Sequence, residues 1–131
     1  MKPPQKPSKN SSPKTPRPDF SVNPHEYKYG LTGFIVFNKI LVSPLDRLYA
    51  FCGDECRGVG SVLYFPPTRK NVFLLYLYSN QISGETISFK YYSAKKRELY
   101  GVNERKVFRS DEIYGKPHSP AALTIIPIEE I

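Results

Sequence analysis

The chain has 131 residues, a net charge of +7, 14% aromatic residues, two cysteines and no tryptophan. That length suits one folded domain, and no apolar run approaches the roughly 20 residues a helix needs to cross a bilayer. Cys52 and Cys56 are too close in sequence to staple distant parts, and no second pair completes a zinc site.

The first nineteen residues stand apart. Pro3, Pro4, Pro7, Pro13, Pro16 and Pro18 are interleaved with Lys2, Lys6, Lys9, Lys14 and Arg17, with no aromatic or β-branched apolar residue. Such a stretch buries too little surface to offset its ordering entropy, so residues 1–19 are expected to form a disordered, basic, proline-rich linker and residues 20–131 the folded domain. The early lysines are not followed by the apolar stretch of a signal peptide, so no leader is expected. Five basic residues and Asp19 give the head +4, which leaves +3 of the total on a mildly basic domain. A basic arm can bind nucleic acid through counterion release, but a solvated linker is the simpler reading.

From Tyr27 to Phe37 apolar residues recur at every second position, the period of a half-buried strand. Ile40–Leu41–Val42 is expected to be a second short strand before a turn at residues 43–46. Leu48–Cys52 and Cys56–Phe65 form a hairpin, and Pro66–Pro67 ends the pairing because neither proline donates a ladder hydrogen bond. Val72–Tyr78 is a continuous apolar run, expected to be a strand covered on both faces. After a polar loop at residues 79–85, Thr86–Ser93 alternates again, with Ile87, Phe89 and Tyr91 on one side. Residues 98–102, residues 106–108 and an edge strand within residues 121–128 complete the pattern. Eight or nine short strands without a helical stripe predict an all-β fold, a β-sandwich of about eight short antiparallel strands. An open five-stranded nucleic-acid barrel would need fewer. Phe51, Leu75, Ile87 and Phe89 are the expected core.

The hairpin turn decides the fate of the cysteines. A two-residue turn, Gly53–Asp54, sets Cys52 opposite Glu55 and Cys56 opposite Phe51, on different faces, with both thiols free and Cys56 inward. A three-residue loop would make the cysteines direct partners within disulfide reach. The two-residue turn is preferred because it gives Gly53 a role.

The stretches Phe20–Tyr29, Ala50–Phe51, Gly53–Val59, Tyr76–Asn80 and Gly84–Tyr92, in that order, resemble a repeated β module of secreted and surface proteins of Gram-negative bacteria that use the type IX route. The chain departs from that module at Cys52, where a small apolar residue is usual, and at Ser93, where an acidic one is. The resemblance implies a Greek-key-like binding or spacer module in an extracellular or cell-surface protein, with no catalytic residue to carry over.

Several residues invite chemistry. Asp46, Asp54, Glu55 and Asp111 could offer oxygens to calcium, but only two are adjacent and turn solvation explains them better. Arg57 lies in an apolar strand, where it can pair with Glu55 or Asp46 or anchor an acidic ligand; a structural pair is preferred. His25 and His118 lack metal-ligand spacing, so neither metal nor cofactor is expected. Tyr76, Tyr78, Tyr91, Tyr92 and Tyr100 fall on neighbouring strands and could form a row that stacks on sugar rings or bases. The expected function is therefore non-catalytic: adhesion, spacing or display of a ligand, with a carbohydrate or a surface protein as partner. The alternative is a small nucleic-acid-binding protein using the basic tail and exposed tyrosines.

Overall fold

A computed structural model describes residues 16–127, so residues 1–15 of the linker expected over residues 1–19 lie outside the described residues, as do residues 128–131. After one 3-10 turn at Pro24–Glu26 the chain runs through nine strands: β1 Tyr29–Phe37, β2 Arg47–Cys52, β3 Glu55–Phe65, β4 Lys70–Ser79, β5 Ser83–Ser93, β6 Glu98–Gly101, β7 Lys106–Arg109, β8 Ile113–Tyr114 and β9 Ala121–Leu123. The fold is all-β, as the alternating pattern predicts.

The strands follow one hydrogen-bonded path, β6-β5-β2-β3-β4-β1-β8, with β7 beside β5 and β9 beside β1. The path folds over along β3. Residues 55–60 of that strand pair with β2 and residues 61–65 with β4, so β3 belongs to both layers of the sandwich. Gly58 and Gly60 permit the fold: a Cβ at Gly58 would lie 2.5 Å from the Tyr76 carbonyl oxygen, and one at Gly60 3.3 Å from that of Leu74. Phe37 of β1 and Tyr91 of β5, four places apart along the path, have ring centroids 4.8 Å apart. The two arms therefore face each other across a core that includes Leu31, Ile35, Leu48, Phe73, Leu75, Ile87, Phe89 and Phe108.

Several expectations need correction. Ile40–Val42 is no strand; only a bridge from Ile40 to Phe37 survives, because the Asn38–Lys39 turn folds the chain straight back. β4 is not covered on both faces, since Tyr76 on its outer side is 50% exposed. Phe51 is buried but not with Leu75, Ile87 and Phe89: it joins Tyr49 and Tyr92 in a separate cluster on the outer face of β2 and β5. Phe20 covers that cluster, edge-on to Tyr49 at 5.1 Å and to Phe51 at 5.0 Å. Beside it the Tyr49 hydroxyl donates to the Pro18 carbonyl at 3.2 Å. The sheet is also mixed: β8 and β9 run parallel to β1, while every other pairing is antiparallel.

The hairpin has the two-residue turn. Gly53 has φ +63°, Cys52 pairs with Glu55 and Cys56 with Phe51. Cys52 packs against the main core and Cys56 against the outer cluster, so the faces are reversed from expectation while both thiols stay free. Alkylation of unreduced, denatured protein followed by mass spectrometry is expected to label both cysteines; a retained Cys52–Cys56 bridge would contradict the register.

Candidate functional site

Two strand neighbours build the site. Residues two apart on a strand share a face, so Tyr76 and Tyr78 both project outward from β4. In the register with β1, Tyr76 lies opposite Thr32 and Tyr78 opposite Gly30. On the far side of β1, β8 adds Ile113 opposite Thr32. The Asp111 amide donates to the Gly30 carbonyl at 2.7 Å and the Thr32 amide to the Glu112 carbonyl at 3.1 Å. These pairings gather Gly30, Thr32, Tyr76, Tyr78, Asp111 and Glu112 around an open cleft of about 290 Å³. Gly30 leaves its floor unfilled, because a Cβ there would meet nothing closer than 3.9 Å.

Glu112 lies at the rim of the cleft, with its carboxylate tied to β7. One carboxylate oxygen accepts from Lys106 Nζ at 2.7 Å, and that ammonium also sits 4.9 Å from the centre of the Tyr114 ring. The other oxygen, Oε1, is buried and has no hydrogen-bond partner among the described residues. A buried acceptor without a donor is costly.

Arg57 stabilises the edge of this site from behind. It is the extra residue of a β-bulge, since Phe51 pairs with Cys56 but Ala50 with Gly58. The guanidinium is 8% exposed by residue and donates to Glu55 Oε1 at 2.6 Å, to both Glu85 oxygens at 2.6 and 3.2 Å, and to the Tyr78 carbonyl at 3.2 Å. It also lies 5.2 Å from the centre of the Tyr27 ring, which stacks on Tyr78 at 6.2 Å. The hydrogen bonds from Arg57 and then Ser79 hold the Glu85 carboxyl well below its ordinary 4.5, at about 2, and the bond to Glu85 raises Arg57 in turn. The expected pair with Glu55 is present, joined by one with Glu85. Asp46 is elsewhere, buried and accepting from Tyr91 Oη at 2.6 Å, the Ala94 amide at 2.9 Å and the Ser43 amide at 3.0 Å.

The remaining tyrosines do not join the row. Tyr91 and Tyr100 are buried in the main core, stacked at 6.1 Å, and burial together with the bond to Asp46 pushes the Tyr91 hydroxyl's pKa up. Tyr92 belongs to the outer cluster with Tyr49 and Phe51. Of the six residues singled out by sequence, Tyr76, Tyr78 and Arg57 come together at one corner. Glu112 escapes sequence reasoning because its place at the cleft depends on the pairing of two-residue β8, and Gly30 because its place depends on the β1–β4 register. Asp46, Asp54, Glu55 and Asp111 do not converge, and no group of three or more metal-ligating side chains occurs among the described residues.

A second opening lies at the other end of β1 and β4, a groove of about 540 Å³ between residues 36–42, the β3–β4 turn and residues 117–120. No family model, curated protein or solved structure matches the chain. The resemblance to the type IX surface modules thus rests on the residues quoted for it.

Proposed function

We propose that the chain is a non-catalytic β-sandwich binding module, of the kind carried by extracellular and cell-surface proteins, and that the Tyr76–Glu112 cleft displays a carbohydrate-binding surface. The observation that carries this reading is the half-exposed ring of Tyr76, which with Tyr78 lines an open cleft on the outer side of β4. A sugar offers the complement, an apolar C–H face for the ring. Tyr78 is held in place through Tyr27 and Arg57, so little ordering is required on binding.

Saturation-transfer NMR with a panel of methyl hexosides tests the reading. At least one glycoside is expected to bind, and Tyr76→Ala to weaken it about tenfold, the loss of one stacking contact. Gly30→Val, whose side chain fills the floor, is expected to do the same. Tyr76→Ala should leave the melting temperature almost unchanged, because the ring is half exposed. Binding that survives both substitutions would overturn the assignment of the cleft.

To the nucleic-acid reading, which rests on the basic tail and exposed tyrosines, Lys95, Lys96 and Arg97 add a basic group exposed together in the β5–β6 turn. Oligonucleotide affinity measured across a salt series separates the two. The carbohydrate reading expects little affinity at any salt, whereas a steep linear fall of log affinity with log salt would favour nucleic acid.

A further inference from the structure

The groove at the opposite end of the sandwich differs from the tyrosine cleft in every chemical respect. Phe37, Val42, Val72 and Pro120 give it an apolar lining, and Leu41 stands at its rim 92% exposed. Arg69 and Lys70 line it too, and neither has an ion-pair partner among the described residues. No acidic side chain is among its lining residues. Arg69 holds φ +59° at the end of the Phe65–Arg69 turn, where its amide donates to the Phe65 carbonyl at 2.9 Å. Glycine is the usual occupant of such a conformation, which Lys39, Arg97 and Asp111 share.

Backbone pairing leaves the groove little to offer a peptide. β1 is flanked by β4 and β9, and β4 by β1 and β3, so neither walling strand presents a free edge. Pro117 and Pro120 have no N–H, and Lys116 and Ser119 bond each other. What remains is side-chain chemistry: an apolar trough with unneutralised positive charge at one lip. Its volume falls within the range of small-molecule sites.

We propose that this groove is a second binding site, independent of the carbohydrate cleft, for a free amphiphile with one unbranched apolar tail and an anionic head. The tail lies along Phe37, Val42 and Val72 beneath Leu41, and the head meets Arg69 and Lys70. The attraction follows from charge complementarity in a partly desolvated site.

Residue-resolved NMR of the full chain, titrated with decanoate below its micelle concentration, tests this. Saturable shifts are expected at Leu41, Val42, Arg69, Lys70 and Val72, with residues 76–78 and 111–113 unmoved. Decyltrimethylammonium, which keeps the tail and inverts the head, is expected to bind about tenfold more weakly or worse. Arg69→Gly combined with Lys70→Gln should weaken decanoate by a similar factor, and Arg69→Gly alone should not lower the melting temperature, because glycine suits the backbone there. Equal binding of the two surfactants would overturn the proposal, as would unchanged decanoate affinity in the double variant. So would adsorption to phosphatidylglycerol vesicles without saturable binding of free decanoate, which would make the exposed Leu41 and its cations a membrane-docking face.

Discussion

Arg57→Met is expected to destabilise the domain by about 3 kcal/mol, at the lower end of the range for breaking a buried ion pair from one side. The substitution keeps the aliphatic stem but leaves Glu85, whose side chain is 17% exposed, without its bidentate partner. It also removes the donor to the Tyr78 carbonyl and the cation over Tyr27. For a domain of this size the loss corresponds to a fall in melting temperature on the order of 10 °C, readable by circular dichroism. The same network predicts an acid limb. The folded Glu85 carboxyl titrates at about 2, below its ordinary 4.5, so its stabilisation is fully present above that ordinary value. It is lost progressively as pH falls from there through about 2. In Glu85→Gln that part of the pH dependence should disappear. A parent and variant whose stabilities fall in parallel between pH 5 and pH 2 would show that the pair contributes nothing.

Phe73→Ala is expected to cost about 3–5 kcal/mol, the usual range for emptying a buried phenylalanine site. The ring is fully buried at the centre of β4, edge-on to Phe37 at 6.0 Å and to Tyr91 at 6.1 Å, so it touches both arms of the folded-over sheet. Its neighbours are themselves held: Tyr91 by the bond to Asp46 and by stacking on Tyr100. They cannot easily collapse into the space, which places the cost toward the upper part of that range. Chemical denaturation with an unchanged slope and a lowered midpoint is the expected signature. A midpoint equal to the parent's would mean that β1, β4 and β5 do not share one core.

Much of this architecture can be read from the chain because alternation is informative wherever one face is polar. β1 and β5 show it, and their inward residues Leu31, Ile35, Phe37, Ile87, Phe89 and Tyr91 are all core. β2 gives no such signal. Leu48, Tyr49, Ala50 and Phe51 are apolar on both parities, because Phe20 covers the outer face, and pattern alone cannot tell which side Phe51 takes. The bulge at Arg57 depends on how β3 pairs with β2, so the chain offers only the neighbouring Gly58 as a hint. Two-residue β8 is too short for any period to register. For the same reason the tyrosine half of the cleft is legible, as Tyr76 and Tyr78 two apart on one strand, while Glu112 is not. In the second groove, the basic pair Arg69–Lys70, one residue after Pro66–Pro67, is the available signal, and Leu41 between two apolar neighbours gives none.

The role of the tyrosine cleft is tested most directly by mapping amide chemical shifts during titration with the glycoside that binds best. The account predicts that the shifts concentrate at residues 30–32, 76–78 and 111–113 and saturate together with one affinity. Shifts centred instead on Lys95–Arg97, or spread evenly over the surface without saturation, would contradict it.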